Sequence, residues 1–289
     1  MTDTLSAALT YSFLRKWLMA HPKFLKNQLY LAGDSYSGKI VPMIVQEISE
    51  GLDAGIEPIL NLKGYVLGNP VTDENKDINS RIQFSYLKAL ITHEIYESAK
   101  MNCKGEYINV DPSNGLCKAD LQNVTTCTQN LYLGNILEPD CSIDASPKPK
   151  LLNWHRSIFM EQDFSDSLLS PTRPPTPCGD LDLAIPYVGT ETWIKSLNLT
   201  IDSGWQPWSV EGQVAGYWMR YIESIYSLTY ATGGGHTAPE YKPKECLAMI
   251  SRFVADLTDQ SISVIVRTSA PSIRHESRRS RTENITSSG

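Results

Sequence analysis

Residues 28–48 read QLYLAGDSYSGKIVPMIVQEI, and this segment constrains the fold more than any other part of the chain. The apolar run QLYLA at 28–32 reads as a short strand that enters Gly33-Asp34-Ser35-Tyr36-Ser37-Gly38. Beyond it Ile40, Val41, Ile44, Val45 and Ile48 fall on one stripe of a helix, with Pro42 near its first turn. Strand, sharp turn and helix with a serine at the turn is the nucleophile-elbow arrangement, which exposes the hydroxyl at the head of a helix. The helix N-terminus then favours negative charge developing beside that serine. Small residues are required on both sides. Gly33 stands two before Ser35, Ser37 replaces the second glycine of G-x-S-x-G, and Gly38 follows. An ordinary glycine turn carries the same letters, so the segment by itself leaves both readings open.

The same residues nearly spell a phosphate-binding loop, Gly33-x-x-x-x-Gly38-Lys39. The next position of such a loop must offer a hydroxyl to Mg²⁺, and here it is Ile40, so nucleotide binding is set aside. What decides between the remaining readings is the order of partners along the chain. An α/β-hydrolase needs an acid and then a histidine after the serine, each at a strand end. Asp182 lies in GDLDLAIP at 179–186, and His236 lies in the glycine-rich GGGH at 233–236. These residues fit nucleophile (Ser35), general base then acid (His236) and orienting carboxylate (Asp182). His21, His93, His155 and His275 have no supporting motif.

The rest of the chain is consistent with an α/β architecture. Asp3 or Thr4 can cap a first helix on which Leu9, Phe13 and Trp17 recur every four residues beside Leu14 and Leu18, ending at His21-Pro22. LKGYVLG at 62–68 and LTYA at 228–231 read as further strands. A last helix fits 244–257, with Leu247, Ile250, Phe253, Val254 and Leu257 on its apolar side. Alternating helices and strands of this kind predict a mostly parallel sheet. Between 100 and 178 the pattern weakens, and PTRPPTP at 171–177 cannot be a ladder strand. The expected organisation is therefore an elbow-bearing core at 1–99, a cysteine-containing insertion with a proline-rich linker at 100–178, a second core segment with the acid and histidine at 179–258, and a disordered tail at 259–289.

Six cysteines, at 103, 117, 127, 141, 178 and 246, include no C-x-x-C pair, which leaves a zinc or redox site unsupported; no metal or cofactor is expected. Their clustering reads as a disulfide-stapled region made in an oxidising compartment, against the alternative of scattered buried thiols. Sequons at Asn123, Asn198 and Asn284 point the same way. The opening MTDTLSAALTYSF, however, has neither a basic n-region nor an apolar h-region. A net charge of -6, from 26 Lys plus Arg against 32 Asp plus Glu, argues against a nucleic-acid partner. No stretch approaches the roughly 20 apolar residues of a membrane span.

GDSYSG at 33–38, GNPVTD at 68–73, NCKGEYINVDPSNGLC at 102–117, GDLDLAIPYVGTETW at 179–193, GQVAGY at 212–217 and GGGHTAPEYKPKEC at 233–246 together resemble the plant serine carboxypeptidase-like family. The resemblance covers most of 1–145 and 179–253. It implies an α/β-hydrolase fold with a lid insertion, here shortened, together with glycosylation at Asn123 and Asn198 and secreted or vacuolar residence. It also implies the triad Ser35, Asp182 and His236, with Asp182 preferred over Asp180, the Tyr36 N–H as an oxyanion donor, and a disulfide between Cys103 and Cys117. Family members carry further sheet strands and a glycine-rich oxyanion loop ahead of the position of Met1, so the resemblance predicts a chain lacking those N-terminal strands. Peptidase members carry glutamate immediately before the nucleophile, where it takes part in recognising a peptide's terminal carboxylate. Asp34 at that position resembles glucose-ester acyltransferases instead, and favours acyl transfer from a small-molecule ester over hydrolysis of a C-terminal peptide bond. The alternative is a catalytically inactive member that at most binds a ligand. The residues carry no reading of oligomeric state.

Overall fold

The computed structural model describes residues 2–138, 181–224 and 226–256, and the backbone of 262–267. Cys141, Cys178, Asp180, the 171–177 prolines and Asn284 lie outside the described residues.

The elements run α1 (Asp3–Ala20), β1 (Leu29–Asp34), α2 (Ser37–Asp53), β2 (Leu62–Gly68), α3 (Glu74–Leu87), α4 (His93–Cys103), α5 (Gly115–Thr128), α6 (Tyr187–Ser196), β3 (Thr200–Val210), β4 (Gln213–Glu223), β5 (Tyr226–Ala231), α7 (Ala238–Tyr241), α8 (Pro243–Asp256) and β6 (Ile262–Arg267). Among the described residues the strands form one sheet of order β1-β2-β6-β5-β4-β3. β1, β2, β6 and β5 are parallel; β4 pairs antiparallel with β5, and β3 pairs antiparallel with β4 at the sheet edge. This is the mostly parallel α/β sheet expected of an α/β-hydrolase core. No helix of the described residues is long and apolar enough to cross a membrane.

The sheet is covered on both faces, as parallel strands require. α8 lays Met249 and Phe253 against Trp208, Ala215 and Ala231, with Tyr30 and Val66 completing that layer. On the other side α2 inserts Ile44 and Ile48 beside Ala7 and Leu18 of α1, and α6 packs Ile194 onto Tyr221, Leu228 and Tyr230. The stripe of α2 is thus the expected one. Two helix faces differ from their sequence reading. α1 buries Ala7 and Leu18, with Tyr11 and Leu14 packed beside them, and exposes Leu9, Phe13 and Trp17. The reason lies in α2. A Cβ on Gly51 would come within 2.8 Å of Tyr11 Cζ, so the close approach of the two helices is made at Tyr11 rather than at the larger stripe. In α8, Cys246, Met249 and Phe253 point inward while Leu247, Ile250 and Val254 are exposed, because the sheet layer beneath already holds the bulk of Trp208. The helix-1 cap also differs. Thr2, rather than Asp3 or Thr4, accepts from the Leu5 N–H.

Two segments read as irregular or disordered carry regular structure. Within 100–178, the described part contains the end of α4 and the whole of α5, joined by the disulfide between Cys103 and Cys117. Closing a loop of that sequence separation is worth roughly 3 kcal/mol in the chain-entropy model. At the far end, the tail expected from 259 onward contributes β6, seated between β2 and β5. A strand in that seat has a ladder on each side, and its pairing is decided by distant backbone rather than by local pattern.

The register brings the carboxyl ends of the parallel strands into one row. Asp34 pairs with Gly68, Gly68 with Arg267, and Arg267 with Ala231. In open parallel sheets that edge is where ligands bind.

Candidate active site

Ser35 follows β1 directly and sits at φ 55°, in the left-handed region that a non-glycine residue adopts only when its surroundings enforce it. Two hydrogen bonds do so. The Ser35 N–H donates to Gly68 O and the Val71 N–H donates to Ser35 O, both at 2.9 Å. Close packing adds to them: a Cβ on Gly33 would meet Val41 Cγ2 at 2.8 Å, and one on Gly38 would meet Pro70 Cα at 2.9 Å. The small residues of the motif are therefore required by the contact between α2, β1 and the loop after β2.

His236 lies in the loop between β5 and α7, where its backbone N–H donates to Gly134 O at 2.9 Å. Its ring spans the gap between the other two candidates. Nε2 is 2.9 Å from Ser35 Oγ, and Nδ1 is 2.9 Å from Asp182 Oδ2. With Nδ1 protonated toward the carboxylate, Nε2 faces the serine hydroxyl as an acceptor. Asp182 precedes α6 and is fully buried. A buried carboxylate needs donors. Oδ1 accepts from the Ala184 and Ile185 N–H groups at 2.8 and 3.0 Å, and Oδ2 accepts from His236 and, at 2.7 Å, from Asn69 Nδ2. Arg81 of α3 reaches the same loop, its Nη2 donating to Ala184 O at 2.8 Å.

Burial by itself pulls the His236 pKa down. The hydrogen bond to Asp182 and that carboxylate's charge, helped by Asp34, outweigh it and leave the imidazole above its ordinary 6.5. Asp34 is itself raised to about 6, chiefly by burial, with the Asp182 charge adding to the effect and His236 and the Ser35 N–H opposing it. Its Oδ1 is buried without a hydrogen-bond partner among the described residues and lies directly over the Gly68 Cα, where a Cβ would collide with it. The Tyr36 N–H stands at the open head of α2, where helix amides have no intrahelical acceptor. The Tyr36 hydroxyl donates to Asp3 Oδ2 at 2.9 Å, tying the start of α1 to the elbow.

Of the residues singled out in the sequence, the structure brings together Ser35, Asp182 and His236, with Asp34 and the Tyr36 amide beside them. Cys103 and Cys117 lie away in sequence on α4 and α5, Asn123 is exposed within α5, and Asn198 is exposed at φ 59° where α6 gives way to β3. Sequence reasoning missed Asn69 and Arg81. Asn69 falls in GNPVTD, but nothing in those six letters says that its side chain turns toward residue 182.

The serine carboxypeptidase family model matches residues 1–170 and 155–256. Among curated proteins the chain is 40% identical over 290 residues to serine carboxypeptidase-like 17 of Arabidopsis thaliana and 38% identical over 293 residues to serine carboxypeptidase-like 12 of the same plant, in each case over 88% of this chain. It spans 65% and 66% of those proteins' own lengths. Among solved structures it is similar to a Saccharomyces cerevisiae protein, Kex1(delta)p, described as a prohormone-processing carboxypeptidase. The TM-score is 0.53 at 17% identity, covering 89% of this chain and 68% of the other, a likeness of fold.

Proposed function

The chain belongs to the serine carboxypeptidase family, and from that premise we propose that it is a serine-type acyl-transfer enzyme working through Ser35, His236 and Asp182. The observation that carries the reading is the continuous hydrogen-bonded line from Ser35 Oγ through both His236 nitrogens to Asp182, each link 2.9 Å long. Such a line has the geometry of an activated nucleophile: base within reach of the hydroxyl, and base oriented by a third group. In the first half-reaction Ser35 Oγ bonds to the carbonyl carbon as its proton passes to His236 Nε2. The oxyanion faces the Tyr36 N–H at the head of α2. Collapse breaks the bond to the leaving group, which takes the proton from His236, and leaves an acyl-serine. Water or an alcohol then repeats the sequence, with His236 again as base.

The acceptor and donor follow from Asp34. Its carboxyl is drawn over Gly68 and is one methylene shorter than glutamate, so it reaches less far toward the terminal carboxylate of a peptide. That favours an ester donor such as a glucose ester, and an alcohol acceptor, over C-terminal peptide hydrolysis. The Cys103–Cys117 disulfide supports folding in an oxidising, secretory compartment, with Asn123 and Asn198 as glycan acceptors.

Fluorophosphonate labelling of the folded chain beside a Ser35→Ala control tests the reading. Labelling that depends on Ser35 is expected. Its absence from a folded sample would leave a catalytically inactive, ligand-binding family member. Glucose esters and N-blocked dipeptides offered to the labelling-competent protein test the second half; preferential release of C-terminal residues would overturn the choice of acyl transfer.

A further inference from the structure

The loop that follows β2 touches both ends of the candidate triad. Its backbone brackets Ser35, accepting from the Ser35 N–H through Gly68 O and donating to Ser35 O through the Val71 N–H. Its side chain at Asn69 turns the other way and donates Nδ2 to Asp182 Oδ2 at 2.7 Å, the same oxygen that His236 Nδ1 approaches at 2.9 Å. Asn69 is 1% exposed and holds φ 38°, a conformation that asparagine tolerates better than most residues. A carboxylate at Asp182 fixes the amide orientation: nitrogen must face it.

We infer that Asn69 is a positioning residue of this site, which sets the rotation of the Asp182 carboxyl relative to the strained serine and draws off part of the charge that would otherwise fall on His236. The inference rests on the acyl-transfer reading and adds a residue to it. One rigid turn, 68–71, registers nucleophile and acid to each other although they lie far apart in the chain. The other ionisable groups facing this cluster are Asp34 beside Ser35 and, from α3, Arg81 against the Asp182 loop with Asp77 behind it. All are left in place by a change at Asn69.

Removing the amide concentrates the Asp182 charge on the His236 Nδ1–H, so the imidazole holds its proton to higher pH. It also frees the carboxyl to rotate, and a displacement of about 1 Å at a reacting group costs on the order of 10² in rate. In Asn69→Asp the two carboxyls lie too close for both to ionise and share one proton, so a donor to Asp182 is restored as an O–H with no added charge.

The test measures the second-order rate of fluorophosphonate labelling against pH for wild type, Asn69→Ala and Asn69→Asp. Rates are normalised to titrated sites, and thermal unfolding is followed in parallel. The expected result is a plateau about 10–100-fold lower in Asn69→Ala, with the acid-limb midpoint moved to higher pH there and returned toward the wild-type value in Asn69→Asp. An Asn69→Ala protein that loses sites or melting temperature while the per-site rate and midpoint stay at the wild-type values would overturn the inference, since that is what a purely structural role gives. The NMR titration of the His236 Nδ1–H reads the same coupling without turnover. If wild type fails to label but the titration still shifts in Asn69→Ala, the acyl-transfer reading fails and the coupling stands; if wild type labels and nothing shifts, the inference on Asn69 fails alone.

Discussion

Asp182→Asn replaces one oxygen of a buried carboxylate by an NH₂ group and leaves the volume unchanged. Four donors to Asp182 fall into two pairs with different freedom. At Oδ1 they are the Ala184 and Ile185 backbone N–H groups, which cannot turn; at Oδ2 they are the side chains of Asn69 and His236, which can. An amide nitrogen placed at Oδ1 faces two fixed donors, and each unsatisfied buried group costs about 1–3 kcal/mol. Placed at Oδ2, it is accommodated if Asn69 flips its amide and His236 moves its proton from Nδ1 to Nε2. The variant therefore settles with its nitrogen toward His236, where the wrong tautomer presents N–H to Ser35 Oγ and the base is lost. The productive arrangement lies about 2–6 kcal/mol higher, which is a rate loss of about 30-fold to 10⁴-fold from orientation alone. Loss of the negative charge opposite the imidazolium pushes the total toward about 10⁴. Because both mobile partners can adapt, the fold is kept and the unfolding temperature changes little. Time-resolved fluorophosphonate labelling, read by intact mass, measures the rate. A folded Asp182→Asn protein that labels within about tenfold of wild type would refute this account of the site.

Two further changes test the electrostatics and the sheet. The Asp34 charge helps hold the proton on His236, so Asp34→Asn should move the acid limb of the labelling profile to lower pH; an unchanged or upward limb counts against the geometry. The folded Asp34 carboxyl titrates at about 6 against 3.8 for the free group. Its contribution to stability is therefore present below the unfolded value and lost as pH rises through 6. Denaturant unfolding of Asp34→Asn, compared with wild type, should accordingly show a smaller loss of stability between acid and neutral pH. Val264→Pro removes a donor from the strand that pairs Tyr65 on one side and Leu228 on the other. Since among the described residues β6 is the strand that joins the β1–β2 pair carrying Ser35 to β5, whose following loop carries His236, Ser35-dependent labelling should be lost together with cooperative unfolding. Retention of full labelling would show that β6 does not register the two halves.

What could be read from the letters was short-range. The elbow was legible because a serine between strand and helix needs small neighbours at fixed offsets, and the structure packs Gly33 and Gly38 against Val41 and Pro70 for that reason. α2 was legible from its apolar stripe, and β1, β2 and β5 from short apolar runs. The inward faces of α1 and α8 were not, because the choice among several apolar stripes belongs to the surface each helix meets: Gly51 under Tyr11 in one case, the Trp208 layer in the other. β6 was read as tail for the same reason, since six residues show no preference for a seat between two strands until those strands exist.

The sequence by itself supplied the candidate chemistry: a serine at a strand-to-helix turn, with an acid and a histidine following in workable order, in a chain of this family. Only the tertiary structure decided what holds that chemistry in place. Fully burying the Asp182 carboxylate requires donors from the loop before α6, from the turn after β2 and from the loop after β5, converging within 3.0 Å. Distances between such separated segments are set by the sheet register that aligns Asp34, Gly68, Arg267 and Ala231, and register is a property of paired backbones, not of any one stretch of residues.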